Sequence, residues 1–183
     1  LKEGLEIIED ASETEEMANS VEDTNGVYFV PALTGLNAPF WDSFARGTII
    51  GISRGTKKEH LVRATLEAIA FRIKDICDVV ENKAEIEMKK VRIDGGVSQN
   101  NFLAQSIADM LDAEVERPIS IEATSLGAAE MAGLKTGYWK EEDLVNSVKV
   151  DKTFVSKIDA DKREEEYFKW NRAVSRASKW LDF

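Results

Sequence analysis

The chain has 183 residues, 43% of them hydrophobic and 32% charged, with a net charge of −10; that is enough for one well-filled domain and too little for two full ones. The acidic balance argues against broad binding to nucleic acid, which needs a basic footprint, and no apolar run approaches the roughly 20 residues that a bilayer demands. The single Cys77 rules out an internal disulfide and a cysteine-cluster metal site, so the expectation is a cytoplasmic protein with neither nucleic acid nor membrane as a partner.

The sequence starts at Leu1 without a methionine, inside an acidic pattern that favours helix, which suggests a piece cut from a larger protein. Residues 1–18 read as helical, with Leu5, Ile8 and Ala11 on one face and no N-cap at the start. Turn residues fill 19–26, and the apolar run 27–30, stopped by Pro31, reads as a buried strand. Residues 32–55 combine glycines with Phe40, Trp41 and Phe44. A loop this long in a compact domain is often functional, and packing of its aromatics against the core is an equal reading. Ile49 and Ile52 suggest a short strand within it.

Residues 57–80 predict a central helix covered by neighbours, whose broad apolar face holds Leu61, Thr65, Ala68, Ile69, Ile73, Ile76 and Val80 and is extended by Ala64, Ala70 and Phe71. Cys77 lies on it as a packed thiol, and His60 reads as a surface residue near its start. After a charged connection over 81–90, Val91 and Ile93 alternate with charged residues and read as the end of a strand. That strand stops at Gly95-Gly96, where positive φ is accessible and a ligand can approach bare backbone. Ser98 or Asn100 is placed to cap the helix over 101–111, whose free N–H groups favour an anion or a polar ligand edge. A nucleotide suits that place, and an ordinary strand-to-helix connection made with two glycines explains the same residues.

Residues 114–117 alternate as a strand that Pro118 ends. Residues 124–134 read as a helix of small residues that lies close to a neighbour, capped by Thr124 or Ser125 and ended by Gly137-Tyr138-Trp139. An edge strand is expected over 148–154. An amphipathic helix is expected over 159–181, with Tyr167, Trp170, Val174, Ala177 and Leu181 on one face, acids early and bases late. The alternation of strands and helices indicates α/β layering with parallel strands in the second half, and a ligand site beyond their carboxyl ends.

Several stretches resemble one family. Gly47-Thr48-Ile49-Ile50-Gly51-Ile52, a gap of seven residues, and His60-Leu61-Val62-Arg63-Ala64-Thr65-Leu66-Glu67 are similar to the signature of the FGGY carbohydrate kinases. Residues 30–36, Ala38-Pro39-Phe40-Trp41-Asp42 and Ala45-Arg46-Gly47 resemble the loop of its glycerol-phosphorylating branch, and 94–101 its adenosine-binding turn. Asn37 departs from the glycine common there. The likeness runs from about residue 1 to 181, to the carboxy-terminal domain of that family.

The resemblance implies a ribonuclease-H-like, actin-like ATPase domain that lacks its first strands, ends in the amphipathic helix and spans residues 1–183. By family position Gly96 and Asn100 would contact the nucleotide, with Gly95 shaping the turn. The implied reaction is transfer of a phosphoryl group from ATP, with Mg²⁺, to glycerol; a kinase of xylulose or gluconate, or a non-catalytic nucleotide-binding module of the same fold, is the alternative. The implied partners are the chain's own N-terminal domain and further copies of itself. No catalytic residue and no metal ligand is expected in this chain, because the aspartate base and the phosphate loop would lie upstream of Leu1, and the 183 residues alone are expected to be inactive.

Overall fold

The computed structural model describes residues 1–120, 122–145 and 149–181. Its centre is a βαβ unit: β3 (Lys90–Arg92), a 3-10 turn (Gly96–Gln99), α3 (Asn101–Leu111) and β4 (Glu114–Pro118). Parallel strands cannot be joined by a hairpin, and here the crossover is α3. Val91 pairs with Val115 in the parallel ladder, and β5 (Val150–Phe154) adds antiparallel on the other side of β4, so the sheet order is β3-β4-β5. The expected edge strand is thus present, although Val148, where it was placed to start, lies outside the described residues.

Glu116 of β4 takes Lys90 Nζ at 2.7 Å and Arg92 Nε at 3.0 Å across the ladder. Those two cations hold its carboxyl below the ordinary carboxylate range. A group whose pKa is depressed by folding stabilises above its unfolded value and loses that contribution as the pH falls through the folded one. The Glu116→Gln protein is therefore expected to lose less stability between neutral and acid pH than the parent, read as a smaller drop in denaturant midpoint.

A second, two-stranded sheet joins β1 (Tyr28–Val30) and β2 (Thr48–Ile50) antiparallel. Gly51, at the end of β2, has a φ of +91° and sits so close to Gly26 that an added Cβ would lie 2.0 Å from its carbonyl oxygen. Between the strands the loop closes on itself, because Leu36 and Asp42 exchange backbone hydrogen bonds of 2.7 and 2.8 Å. The Asp42 carboxylate then accepts from the amides of Phe44, Ala45 and Lys179. Positive φ falls on Gly35 and Trp41 and not on Asn37, so the departure at Asn37 needs no special backbone. Phe40 packs on the core beneath the Arg72 guanidinium, while Trp41 is 78% exposed.

The core gathers between α2 (Lys58–Ala84), α3 and α6 (Ala160–Ala177), against the two sheets. Trp170 of α6 is fully buried and stacks on Phe71 of α2 at 5.2 Å. Val174 and Ala177 share its buried face, and Asp159 caps α6 by accepting from Lys162 N–H. The expected Leu181 lies beyond the end of this helix and is partly exposed.

Asp75 of α2 is the polar centre of this contact, with 1% of its side chain exposed. It accepts from Tyr167 Oη at 2.9 Å, from Trp170 Nε1 at 3.2 Å to each oxygen, and from Arg72 Nη1 at 2.9 Å. Arg72 in turn donates to the Ala38 carbonyl, which fastens the long loop to the same network.

Three expectations are corrected. The first helix does not fill 1–18: α1 is Glu13–Asn19. The Asp10 carboxylate accepts from the Ser12 amide and hydroxyl, and Glu13 accepts from the Asp10 amide, so local side-chain bonds replace helical ones before residue 13. On α2 Ala64, Ala68, Ala70 and Phe71 of the expected face are buried as expected, but Leu61, Thr65, Ile69 and Ile73 are half-buried and Ile76 and Val80 exposed, while Val62, Leu66 and Asp75 are buried besides. The helix is covered on two sides by different neighbours, so no single stripe describes it. Finally, α4 (Ala123–Thr136) does not lie against a neighbour along its small residues: among its described residues only Gly133 is buried, beneath Trp139. Neither Thr124 nor Ser125 caps it, since the N-cap position falls on Glu122 without a side-chain bond. Gly137, in the left-handed conformation, ends it as expected. A short α5 (Glu141–Val145) follows.

Candidate functional site

The diglycine bend lies at the carboxyl end of β3, where ligands of α/β sheets bind. Gly95 has a φ of +82° and a ψ of 167°, a region essentially closed to other residues. This sends the chain from the strand into the 3-10 turn. Ser98, buried, donates its hydroxyl and its amide back to the Gly95 carbonyl and closes the turn. Gly96 is exposed, and a Cβ built on either glycine meets no atom within 4 Å. Among the described residues nothing accepts from the amides of Gly95, Gly96 and Val97. Three consecutive donors on accessible backbone are open to water or to a polar ligand.

The helix that follows offers less than its sequence promises. Asn100 is its cap, its Oδ1 accepting from Leu103 N–H at 2.9 Å, while Ser98 is used in the turn. The Asn101 amide goes to Glu15 of α1, at 2.7 Å, and the Asn101 side chain donates to the other Glu15 oxygen. An anion does occupy the start of α3, and it is the protein's own carboxylate. Asn100 Nδ2 also donates to Thr14 Oγ1. The Asn100 carboxamide therefore keeps one lone pair and one N–H for a ligand.

The signature residues act one layer further out. Arg63 donates to Glu67 and to the carbonyls of Ala18 and Val21, and its guanidinium lies over the Phe102 ring. It thus fixes the carboxyl end of α1, whose Thr14 and Glu15 hold the turn. Burial raises the Glu67 carboxyl above its ordinary value, against the pull of Arg63. His60 accepts from the Lys57 amide through Nδ1 and caps α2. Burial raises the Cys77 thiol, with Glu81 and Asp78 adding to it, which disfavours the thiolate that a nucleophile needs.

Sequence reasoning singled out Gly95, Gly96 and Asn100, and the three lie together at the bend. It missed Thr14, Glu15 and Arg117, which reach the turn from α1 and β4. Nothing local marks them, since each reads as an ordinary helix or strand residue. A concavity of about 1110 Å³ forms a groove between the first three helices, β5 and α6. It does not include the bend, and some of its charges pair within the chain, as Arg63 with Glu67 and Lys162 with Glu166.

Comparison with known proteins gives the following. The model of the C-terminal domain of the FGGY family of carbohydrate kinases matches residues 2–136. Glycerol kinase 2 of Thermotoga maritima is 50% identical over 181 residues, 98% of this chain and 36% of that protein. Glycerol kinase of Pseudothermotoga lettingae is 49% identical over 183 residues, all of this chain and 37% of that one. The chain thus spans little more than a third of the curated relatives it matches. Among solved structures, that of Plasmodium falciparum glycerol kinase with ADP superposes with a TM-score of 0.85 at 40% identity, over 94% of this chain and 35% of that one. A ligand-bound xylulose kinase from Lactobacillus acidophilus, at 19% identity and a TM-score of 0.72 over 96% of this chain and 35% of that one, shares the fold.

Proposed function

The chain belongs to the FGGY family of carbohydrate kinases, and from that membership we propose that it is the C-terminal nucleotide-binding domain, residues 1–183, of an ATP-dependent glycerol kinase. The observation that carries the nucleotide reading is the open bend, with free amides at Gly95, Gly96 and Val97 beside the partly free carboxamide of Asn100. In this reading Gly95 sets the turn, Gly96 brings backbone against the phosphate or ribose end, and Asn100 offers its amide to the adenine or ribose side. Support comes from relatives about half identical across the chain and from the solved relative that holds ADP. The α/β layering and the parallel β3-β4 pair agree with a ribonuclease-H-like ATPase domain.

Phosphoryl transfer asks a protein for positioning and charge neutralisation more than for covalent help. This chain supplies the nucleotide's place. The base that takes the glycerol proton belongs to the N-terminal domain of the whole protein, its partner across the cleft. In this reading Mg²⁺ comes with the nucleotide phosphates and offsets their charge. In the same reading the whole enzyme is a cytoplasmic homo-oligomer. No described helix is long and apolar enough to cross a membrane.

The test is a coupled assay of ADP release by the whole protein with glycerol, xylulose and gluconate. Glycerol is expected to be the preferred substrate by kcat/KM, with glycerol 3-phosphate as product. Preference for either sugar substrate would replace the assignment, and absence of turnover with tight ADP binding would leave a nucleotide-binding module.

A further inference from the structure

We infer that Arg117 is a positioning residue for the nucleotide turn; the inference rests on the reading of the diglycine bend as the nucleotide contact. Arg117 stands on β4, just before Pro118, with 12% of its side chain exposed. Its Nη1 donates to the carbonyls of Ser98 at 3.2 Å and Gln99 at 3.1 Å and to Asn101 Oδ1 at 3.3 Å. Its Nε and Nη2 both donate to one carboxylate oxygen of Asp151 on β5, at 2.9 and 2.7 Å. The guanidinium plane lies over the Phe154 ring, 5.7 Å from its centroid.

The need for such a group follows from the backbone. Asn100 is extended, so the 3-10 turn does not run smoothly into α3. The carbonyls of Ser98 and Gln99 stand at this break, at the end of the 3-10 turn. Orphan carbonyls at the end of a helical turn require donors from elsewhere, and a guanidinium brings five in a rigid fork. Arg117 fills that demand from the sheet side, while Thr14 and Glu15 hold Asn100 and Asn101 from the other. Gripped on both sides, the turn cannot roll about its axis, and the amides of Gly95, Gly96 and Val97 keep one direction. Lys152 Nζ, 3.1 Å from Asn101 Oδ1, joins the same contact, so the edge strand β5 is tied to the turn twice. A lysine at position 117 would carry the charge but not the fork, and it cannot serve Asp151 and two carbonyls together.

The test uses steady-state kinetics of the whole protein. Arg117→Met keeps an unbranched stem over Phe154 and removes the donors; Arg117→Lys keeps the charge and guards against a failure of the first variant to fold. Both are expected to raise the KM for ATP by about fivefold or more, with kcat within about twofold and the KM for glycerol unchanged, the pattern of lost nucleotide binding. Asp151→Asn is expected to have a smaller effect in the same direction, because the carbonyl contacts survive. An unchanged KM for ATP in either folded arginine variant, even with lowered thermal stability, overturns the inference and leaves Arg117 a strut. Gly96→Val, assayed in parallel, separates the two levels. If it raises the KM for ATP while the arginine variants do not, the positioning role alone falls; if none of them does, the nucleotide reading falls with it.

Discussion

Replacement of Gly96 by valine in the whole protein is expected to raise the KM for ATP at least about tenfold, or to abolish turnover, a loss of about 1.4 kcal/mol or more in binding, while leaving the melting temperature close to that of the parent. The second half of this expectation gives it force. A Cβ at position 96 meets no atom within 4 Å and its backbone has ordinary φ, so the folded chain has room for the new side chain. Whatever the valine obstructs is then something that comes to the bend from outside. Position 95 behaves differently, because its φ of +82° costs any L-residue about 1–3 kcal/mol. Gly95→Ala is thus a stability variant and Gly96→Val a binding variant. Unchanged kinetics in Gly96→Val would remove the bend from the nucleotide site.

The other large effect belongs to stability. Asp75→Ala removes one carboxylate and leaves Tyr167 Oη, Trp170 Nε1 and Arg72 Nη1 without their acceptor in a buried place. Removing one member of a buried, hydrogen-bonded ion pair typically costs about 3–5 kcal/mol, because the desolvated partners remain. The expected result is a fall in unfolding free energy of that size, read from the shift in denaturant midpoint, far beyond a surface substitution. Burial itself pushes the Asp75 carboxyl above its ordinary value, with Tyr167, Trp170 and Arg72 pulling it down. With a folded pKa raised above the unfolded one, the charged form costs stability as the pH rises through that interval. A midpoint for Asp75→Ala equal to the parent's would mean that α2 and α6 are held by Phe71 and Trp170 alone.

The βαβ unit is legible in the residues because its signals are local. β-branched alternation ends at two glycines, an asparagine caps, and a clean apolar face over 101–111 ends at Leu111 where the structure ends α3. The bend is legible for the same reason. What holds the bend is not legible, since Glu15 and Asn101 are 86 positions apart and Arg117 meets Asp151 across 34. Such pairings are set by tertiary placement, and no spacing rule announces them. The overlong first helix follows from counting apolar positions without weighing the Asp10-Ser12 bonds that compete with helix. The face expected on α2 is found in part, with Ala64, Ala68, Ala70 and Phe71 buried and Ile76 and Val80 exposed, because a helix packed on two sides hides positions all around it. The small residues of α4 invite a close neighbour that the described residues do not provide.

The signature stretch takes a different meaning in three dimensions. Arg63, Glu67 and His60 touch α1, the core and their own helix start, and none of them reaches the bend. Arg63 seats α1, so that Thr14 and Glu15 arrive at Asn100 and Asn101.

The most direct measurement is a crystal structure of the whole protein with ADP. The nucleotide is expected to lie over Gly95-Gly96, with at least one amide among residues 95–97 within hydrogen-bonding distance, about 2.7–3.2 Å, of a nucleotide oxygen or nitrogen. ADP bound elsewhere, with those three amides still lacking an acceptor, would contradict the assignment.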